Sequence, residues 1–297
     1  MYSSQTFVLS IGHKNLFKMD ISCKNSSLEC LEWFEFKAEV DLDLTFNSGQ
    51  IFNFIKIENE YCGFVGDNLF ILRQKQRFFE YKKTSTTIKE AISDFFNLKI
   101  KLPEVCHDNF GLKPITNDFY STLFSFICSQ NNNIKRIKKM VCFLFSFGDF
   151  VVYKSFKIYK LPSFLKNEEM EPENFCESLK KNGFGYRSKY ILNAIQDLKT
   201  NANLNPISLH NGGYTFAKKE LLKIKGIGQK VADCICLMGL KFFHVVPIDT
   251  HILKYSRRFF KESSKIINYE KIQNKWIELY GEFAGIVQLH VFYNSIK

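Results

Sequence analysis

The stretch KIKGIGQKVADC at residues 223–234 decides how the C-terminal part of the chain folds. Helical patterns stand on both sides of Gly226-Ile227-Gly228. A dinucleotide fingerprint requires a third glycine where Val231 stands, after a strand, and a Walker loop requires Lys-Ser/Thr directly after Gly228. Both nucleotide-binding interpretations therefore fail, and the pattern indicates a helix, a glycine hairpin and a second helix.

This hairpin predicts an anion site. Gly226 and Gly228 allow a tight turn, and the free N–H groups that begin the second helix can bind a DNA phosphate. Lys230 lies in the first turn of that helix, where the helix dipole disfavours a positive charge; an amine nucleophile must be uncharged. A plain helix corner with a solvated lysine is the more common meaning of such a pattern.

The second informative stretch is VVPIDTH at residues 245–251. Asp249 precedes a helical pattern and is predicted to cap it, which would keep its carboxylate ionised and fixed in direction. Most aspartates at such positions are only caps. One that faces a lysine of the preceding helix could also stabilise positive charge on a sugar.

The first third of the sequence predicts an antiparallel sheet. Residues 39–46 (EVDLDLTF) alternate polar and apolar, which is typical of a half-buried strand, and Asn47-Ser48-Gly49 supplies a turn. Residues 51–57, 62–65, 69–72 and 77–82 are further strand candidates, with a hairpin turn at Gly66-Asp67-Asn68.

The period of the pattern changes to that of a helix from Thr87, where Thr87 and Glu90 match a capping box. Helices are predicted at residues 123–128, 134–147, 172–181, 187–198, 216–224, 229–240, 250–260, 269–280 and 285–296. We therefore expect an α+β fold. Residues 1–100 would form an N-terminal antiparallel sheet domain with a short helix. Residues 101–297 would form an all-helical helix-hairpin-helix region of two subdomains with a cleft between them.

Composition limits the possible partners. The 41 Lys and Arg against 30 Asp and Glu give a net charge of +11, which favours nucleic acid over an anionic membrane, although a lysine-rich composition bias gives the same surplus. No apolar run is long enough to span a membrane and no secretory leader is evident. Nine cysteines scattered through apolar runs indicate reduced thiols in a nuclear or cytosolic protein. No cysteine follows Cys236, so we expect no C-terminal cysteine-ligated iron–sulfur cluster.

KGIGQKVADCICLMGL followed by VPIDTH resembles the signature of the helix-hairpin-helix superfamily of base-excision DNA glycosylases. Within it, the chain is most similar to the eukaryotic-type 8-oxoguanine DNA glycosylase/AP lyases. FNSGQIF, FSFICSQNNNIKRI, GFGYRSKY and AGIVQLHVF match in the same order, so the similarity extends from about residue 42 to the end.

The resemblance implies a role for each matching residue. Lys230 would form the Schiff base and Asp249 would be the catalytic aspartate. The residues implied in DNA binding are Asn131, Arg136, Tyr186, Arg187, Gly226, Gly228 and His251. Those implied in base binding are Gly49, Cys234, Pro247, Gln288 and Phe292.

Among the residues implied in DNA binding, Asn131 would fill the gap left by the flipped nucleotide, and Tyr186 would act as a wedge. Arg136 and Arg187 would read the orphaned cytosine, and His251 would donate to a phosphate.

The implied activity is excision of 8-oxoguanine opposite cytosine, followed by β-elimination. We expect double-stranded DNA containing oxidised guanine as partner, no metal or other cofactor, no membrane association, a monomer, and a nuclear or mitochondrial location. Two alternatives remain: a glycosylase of the same superfamily for another damaged base, and a non-catalytic hairpin module that only grips the DNA backbone.

Overall fold

The N-terminal part of the chain forms a five-stranded antiparallel sheet. The computed structural model describes residues 28–165, 172–261 and 268–296. The strands are β1 (Trp33–Phe36), β2 (Ile55–Ile57), β3 (Glu60–Val65), β4 (Asn68–Gln74) and β5 (Phe79–Lys82). Their spatial order is β1-β5-β4-β3-β2. The predicted hairpin is confirmed: Val65 pairs with Asn68 across a two-residue turn in which Gly66 has a φ of 57°. Of the candidate at 51–57, only the last three residues form a strand.

The strand predicted at residues 39–46 is wrong. Helix α1 (Leu42–Asn47) occupies most of it, and the Asp41 carboxylate caps this helix by accepting a hydrogen bond of 2.8 Å from the Leu44 N–H. The apolar residues fit both periods, because positions one, four and five of a helix lie on one face. The buried residues on that face are Leu42, Thr45 and Phe46.

Helices dominate the chain after the sheet, and the α+β fold class is confirmed. They are α2 (Ile88–Phe95), α3 (Phe119–Ser129), α4 (Ile134–Phe145), α5 (Pro172–Lys181), α6 (Arg187–Thr200), α7 (Pro206–Asn211), α8 (Gly213–Lys223), α9 (Gln229–Leu240), α10 (Thr250–Phe259), α11 (Tyr269–Tyr280) and α12 (Ala284–Ile296). Helix α2 begins where the capping box predicts, although the Thr87 side chain makes no capping hydrogen bond. Among the described residues, no helix is both long and apolar enough to cross a membrane.

A second hairpin interrupts the helices, so the expectation of an all-helical C-terminal region is wrong at this point. It consists of β6 (Phe150–Tyr153) and β7 (Phe156–Tyr159). Its turn residues Lys154 and Ser155 have φ angles of 46° and 66°. This geometry is usually formed by Asn-Gly or Gly-containing turns, so the sequence lacks the signal by which such hairpins are recognised.

The main sheet is covered on both faces. Helices α1 and α2 cover one face through a buried cluster that includes Phe46, Phe70 and Phe95. The β6–β7 hairpin covers the other, where Tyr153 and Ile158 pack in a cluster with residues of β2, β3 and β4. The first region thus depends on a segment from the middle of the chain to complete its core.

The helices form two further cores. One joins α3 to α9, and the other joins α10, α11 and α12. The stretch between α9 and α10, which contains Pro247, connects these two cores.

Candidate active site

The helix-hairpin-helix consists of α8, the Gly226–Gly228 turn and α9. Ile227 is buried in the helical core, as its position between two glycines predicts. Gly226 has a φ of +105°, and a Cβ there would lie 2.2 Å from the ring of Tyr190, so only glycine fits. Gly228 caps α9 without a side-chain hydrogen bond, and no atom lies within 4 Å of where its Cβ would be. Because glycine has no side chain that could cap the helix, the first N–H groups of α9 stay available to an anion.

Lys230 lies half-buried in the first turn of α9. Its amine is 5.2 Å from the centre of the Phe126 ring. Cys234 is buried one turn further along the same helix. Burial raises the pKa of the Cys234 thiol to about 11, although the neighbouring Lys230 amine opposes this shift. The thiol therefore stays uncharged at neutral pH, and the assignment of Lys230 as nucleophile stays a prediction.

Asp249 caps α10, as predicted. Its carboxylate accepts a hydrogen bond of 2.8 Å from the Ile252 N–H, and this bond fixes the direction of the side chain. The capping bond uses one carboxylate oxygen. The half-buried side chain also lines the cavity that Lys230 lines.

Five segments of the chain meet around this cavity. All seven residues predicted for catalysis and base binding line it: Gly49, Lys230, Cys234, Pro247, Asp249, Gln288 and Phe292. Ser48, Phe126, Met238 and Leu289 complete the lining. Sequence reasoning missed these four. Phe126, Met238 and Leu289 are apolar residues inside helices, which give no signal that separates a site wall from core, and Ser48 reads only as part of a turn.

The cavity is narrow. Its volume is about 30 Å³, far below the roughly 300 Å³ or more of an ordinary ligand pocket. Gly49 has a φ of +81°, and a Cβ at this position would lie 3.0 Å from the Phe292 ring. The ring therefore fills the space in front of Gly49.

Gln288 points an unpaired acceptor into this part of the protein. The side chain is 3% exposed, and within the described residues its Oε1 atom is buried without a hydrogen-bond partner. Leaving such an atom unpaired costs about 1–3 kcal/mol. An ordered water or a bound ligand would complete the bond.

A second group of predicted residues meets on the surface where the α3–α4 and α5–α6 connections touch. Asn131 has a φ of +44°, and its amide lies 3.4 Å from the Tyr186 hydroxyl. Arg136 is exposed and donates a hydrogen bond of 2.8 Å to the Gly183 carbonyl. The Tyr186 side chain is 44% exposed. The structure thus brings together the four residues Asn131, Arg136, Tyr186 and Arg187.

Arg187 differs from its three neighbours, because it is only 4% exposed. Its guanidinium stacks on Tyr186 at 4.7 Å and donates to the carbonyls of Gln130 and Asn131. These bonds hold the strained backbone of Asn131. Gln130 in turn donates a hydrogen bond of 3.0 Å to the Gly226 carbonyl, which ties this surface to the hairpin.

His251 is exposed beside the cavity. Its ring meets the edge of the Phe292 ring at 5.9 Å and 86°. This position places it at the mouth of the cavity, while its predicted phosphate contact stays a prediction.

Comparisons with known proteins decide the family. Residues 34–122 match the 8-oxoguanine DNA glycosylase N-terminal domain. N-glycosylase/DNA lyase OGG1 of Arabidopsis thaliana is 31% identical over 296 residues, covering 88% of this chain and 80% of that protein. This chain belongs to the 8-oxoguanine DNA glycosylase/lyase family. By homology its activity is that of an N-glycosylase/DNA lyase of base-excision repair.

Solved structures support the same family. MBOgg1 in complex with a low-affinity DNA ligand has a TM-score of 0.76 and 25% identity, and covers 90% of this chain and 99% of its own. The 8-oxoguanine glycosylase/lyase of Clostridium acetobutylicum, in complex with double-stranded DNA containing cytosine opposite 8-oxoguanine, has a TM-score of 0.77 and 23% identity. The match covers 89% of this chain and 97% of the Clostridium chain. At that identity, the second likeness bears on the fold.

Proposed function

We propose that this member of the family excises 8-oxoguanine opposite cytosine through a Schiff base on Lys230 and then cleaves the DNA strand by β-elimination. The observation that carries the proposal is one narrow cavity lined by Lys230, by Asp249 and by Gln288, whose amide oxygen has no hydrogen-bond partner among the described residues. A nucleophile, a fixed carboxylate and a base-reading group are the parts that this chemistry needs.

The Lys230 amine attacks C1′ of the deoxyribose while the glycosidic bond breaks, and the damaged base leaves with the bonding electrons and takes up a proton. Asp249 offsets the positive charge that develops on the sugar. Opening of the sugar ring then gives a protonated imine on Lys230. The imine acidifies the C2′ hydrogen, so that loss of this proton expels the 3′ phosphate.

The same cavity explains base selection. The Gly49 carbonyl would accept a hydrogen bond from N7–H, which 8-oxoguanine carries and guanine lacks. The Gln288 amide would pair with the edge of the base, and Phe292 and Cys234 would enclose its two faces. Because Phe292 fills the space before Gly49, base entry requires the ring to swing aside, which makes this residue a gate as well as a wall.

DNA binding rests on the hairpin and on the surface around Tyr186. The exposed N–H groups at Gly226 and Gly228 would hold a phosphate, with His251 as a further donor. Asn131 and Tyr186 would fill and wedge the gap, which offsets the few kcal/mol that flipping costs.

Arg136 and Arg187 would read the cytosine through its O2 and N3 acceptors. Arg187 already donates to the carbonyls of Gln130, Asn131 and Phe184, so it would read the cytosine with its remaining N–H groups or by releasing one of these bonds.

Borohydride trapping tests the proposal. A duplex with 8-oxoguanine opposite cytosine should give a covalent adduct with the wild type, and Lys230→Gln should abolish it. Lys225→Gln is the matched control, because Lys225 is an exposed lysine of the same hairpin. Binding without an adduct in the wild type would favour the DNA-binding module instead, and an adduct that persists in Lys230→Gln would assign the nucleophile elsewhere.

Lesion and partner-base preference need a separate assay. Incision across a panel of damaged bases distinguishes 8-oxoguanine from the other lesions that this superfamily removes. For the partner base, Arg136→Ala should bring the incision rates opposite the four bases closer together. If the four rates keep their wild-type ratios, Arg136 does not read the partner base.

A further inference from the structure

Asp233 is a fully buried carboxylate on the helix that carries Lys230, and none of the roles above uses it. Its exposure is 0%, and it lies one helical turn from Lys230. A charged residue is almost never fully buried without partners, because desolvation costs several kcal/mol. Its partners therefore indicate what the carboxylate does.

Four side chains donate to Asp233. The Tyr214 hydroxyl donates at 2.8 Å, the Tyr269 hydroxyl at 2.7 Å and the Gln273 amide at 2.8 Å, and the Lys218 ammonium forms an ion pair at 3.1 Å. Burial raises the pKa of the Asp233 carboxyl, but Lys218 and the two hydroxyls oppose the shift. The Tyr269 hydroxyl accepts from a backbone N–H, so its own proton points at Asp233. Four donors around one carboxyl group fit the ionised form.

Two of these partners lead to the segment that ends in Asp249. Tyr269 and Gln273 lie four residues apart on one face of α11. The Tyr269 hydroxyl accepts a hydrogen bond of 3.0 Å from the Ile248 N–H, and the Gln273 amide donates at 2.9 Å to the Val246 carbonyl. Each side chain thus joins Asp233 to the backbone just before Asp249.

We propose that Asp233 is a positioning residue that holds the Asp249 segment in register with Lys230 through Tyr269 and Gln273. This inference rests on the proposed function, since it assigns the two ends of the link their catalytic roles. Residues 230 and 249 belong to elements that pack mainly in different hydrophobic cores, and a polar link between these elements helps to fix the distance between the two residues. Lys218 and Tyr214, both from α8, supply the charge and the proton that keep the carboxylate in place.

The link predicts a selective defect. Base excision requires Asp249 to face the sugar, whereas attack of Lys230 on a preformed abasic aldehyde requires only the amine. Misplacing a catalytic group by about 1 Å can lower a rate about 10²-fold. Tyr269→Phe and Asp233→Asn should therefore lower the single-turnover rate constant for 8-oxoguanine excision by about tenfold or more. Incision of a preformed abasic-site duplex should stay within about twofold of wild type.

Tyr280→Phe is the matched control, because it makes the same substitution at the end of the same helix. Its ring packs against Trp276 at 5.6 Å, away from the link. Should Asp233→Asn not fold, Tyr269→Phe alone decides the question.

Rate constants and amplitudes separate positioning from mere stability. A purely structural role lowers the melting temperature and the active fraction, and leaves the excision rate constant of the folded enzyme equal to that of Tyr280→Phe. That outcome overturns the inference, as does an equal fall in excision and abasic-site incision. A wild type that neither excises the base nor cuts the abasic site refutes the proposed function and takes this inference with it.

Discussion

Gly285, at the start of α12, controls the distance between the two halves of the cavity. Its N–H donates a hydrogen bond of 2.8 Å to the Phe243 carbonyl. A Cβ at Gly285 would lie 2.1 Å from the Val245 carbonyl oxygen and 2.8 Å from that of Phe243. Ordinary contact begins at 3.4 Å, so Gly285→Ala must push α12 away from the backbone leading to Asp249 by about 1.3 Å. Because these are backbone atoms, no side-chain rotation relieves the clash.

The substitution should affect stability and activity together. Overpacking of this kind costs about 1–3 kcal/mol, and a fall of about 5 °C in melting temperature follows for a chain of this size. Helix α12 also carries Gln288 and Phe292, so a shift of this size should lower the excision rate about 10²-fold.

Gly239→Ala is the matched control for Gly285→Ala. A Cβ at Gly239, inside α9, would meet Thr122 at an ordinary 3.4 Å. This change should be neutral or stabilise by about 0.5–1 kcal/mol. Melting curves and single-turnover excision on the two variants decide the matter. If Gly285→Ala melts and reacts as Gly239→Ala does, the steric reasoning is refuted.

Three further substitutions test other features. Burial lowers the pKa of His290 from 6.5 to about 4, and the nearby Lys113 charge adds to the shift. Between pH 6.5 and 4 the unfolded chain therefore binds more protons than the folded chain, so the folded protein loses stability as the pH falls. From pH 7.5 to pH 5 the free energy of unfolding should fall by about 2 kcal/mol. Urea unfolding at both pH values should show that this fall is absent in His290→Leu. Gln288→Leu should stabilise the fold by about 1 kcal/mol, because it removes a buried unpaired acceptor. The same variant should slow 8-oxoguanine excision at least tenfold in single-turnover assays, and unchanged excision would exclude Gln288 from base binding. Arg187→Ala should cost about 2–3 kcal/mol in urea unfolding through its lost bonds to the Gln130 and Asn131 carbonyls, and it should relax the preference for cytosine when incision is measured opposite all four bases.

Sequence periodicity was sufficient where a local signal marked the end of an element. Helices α5, α9 and α11 have the predicted bounds, because a proline starts the first, the Gly226–Gly228 turn precedes the second and Gly281 follows the third. The same reasoning fails at residues 39–46, where Leu42 and Phe46 fit both periods and the Asp41 cap selects the helix. It also fails at β6–β7, whose turn places lysine and serine at positive φ.

The residues of the candidate site also differ in whether a local sequence signal marks them. Residue chemistry alone singles out the hairpin, Lys230 and Asp249, because glycines, a lysine in a first turn and a helix cap have local signatures. The wall residues Gly49, Gln288 and Phe292 depend on packing between distant segments, and only the family resemblance names them. Asp233 did carry a signal: a charged residue within the apolar run VADCICLM predicts a buried partner, although the run does not tell which one.

The β6–β7 hairpin also bears on how the protein is made. About 80 residues separate Ile71, on the face of the main sheet that the hairpin covers, from Tyr153 in the hairpin itself. At a synthesis rate of about 5–20 residues per second, the ribosome delivers this cover roughly 4–16 s after the strands that need it. During that interval the nascent sheet exposes an apolar face to which another nascent chain or a chaperone can bind. The yield of native protein should therefore depend on translation speed across residues 72–153.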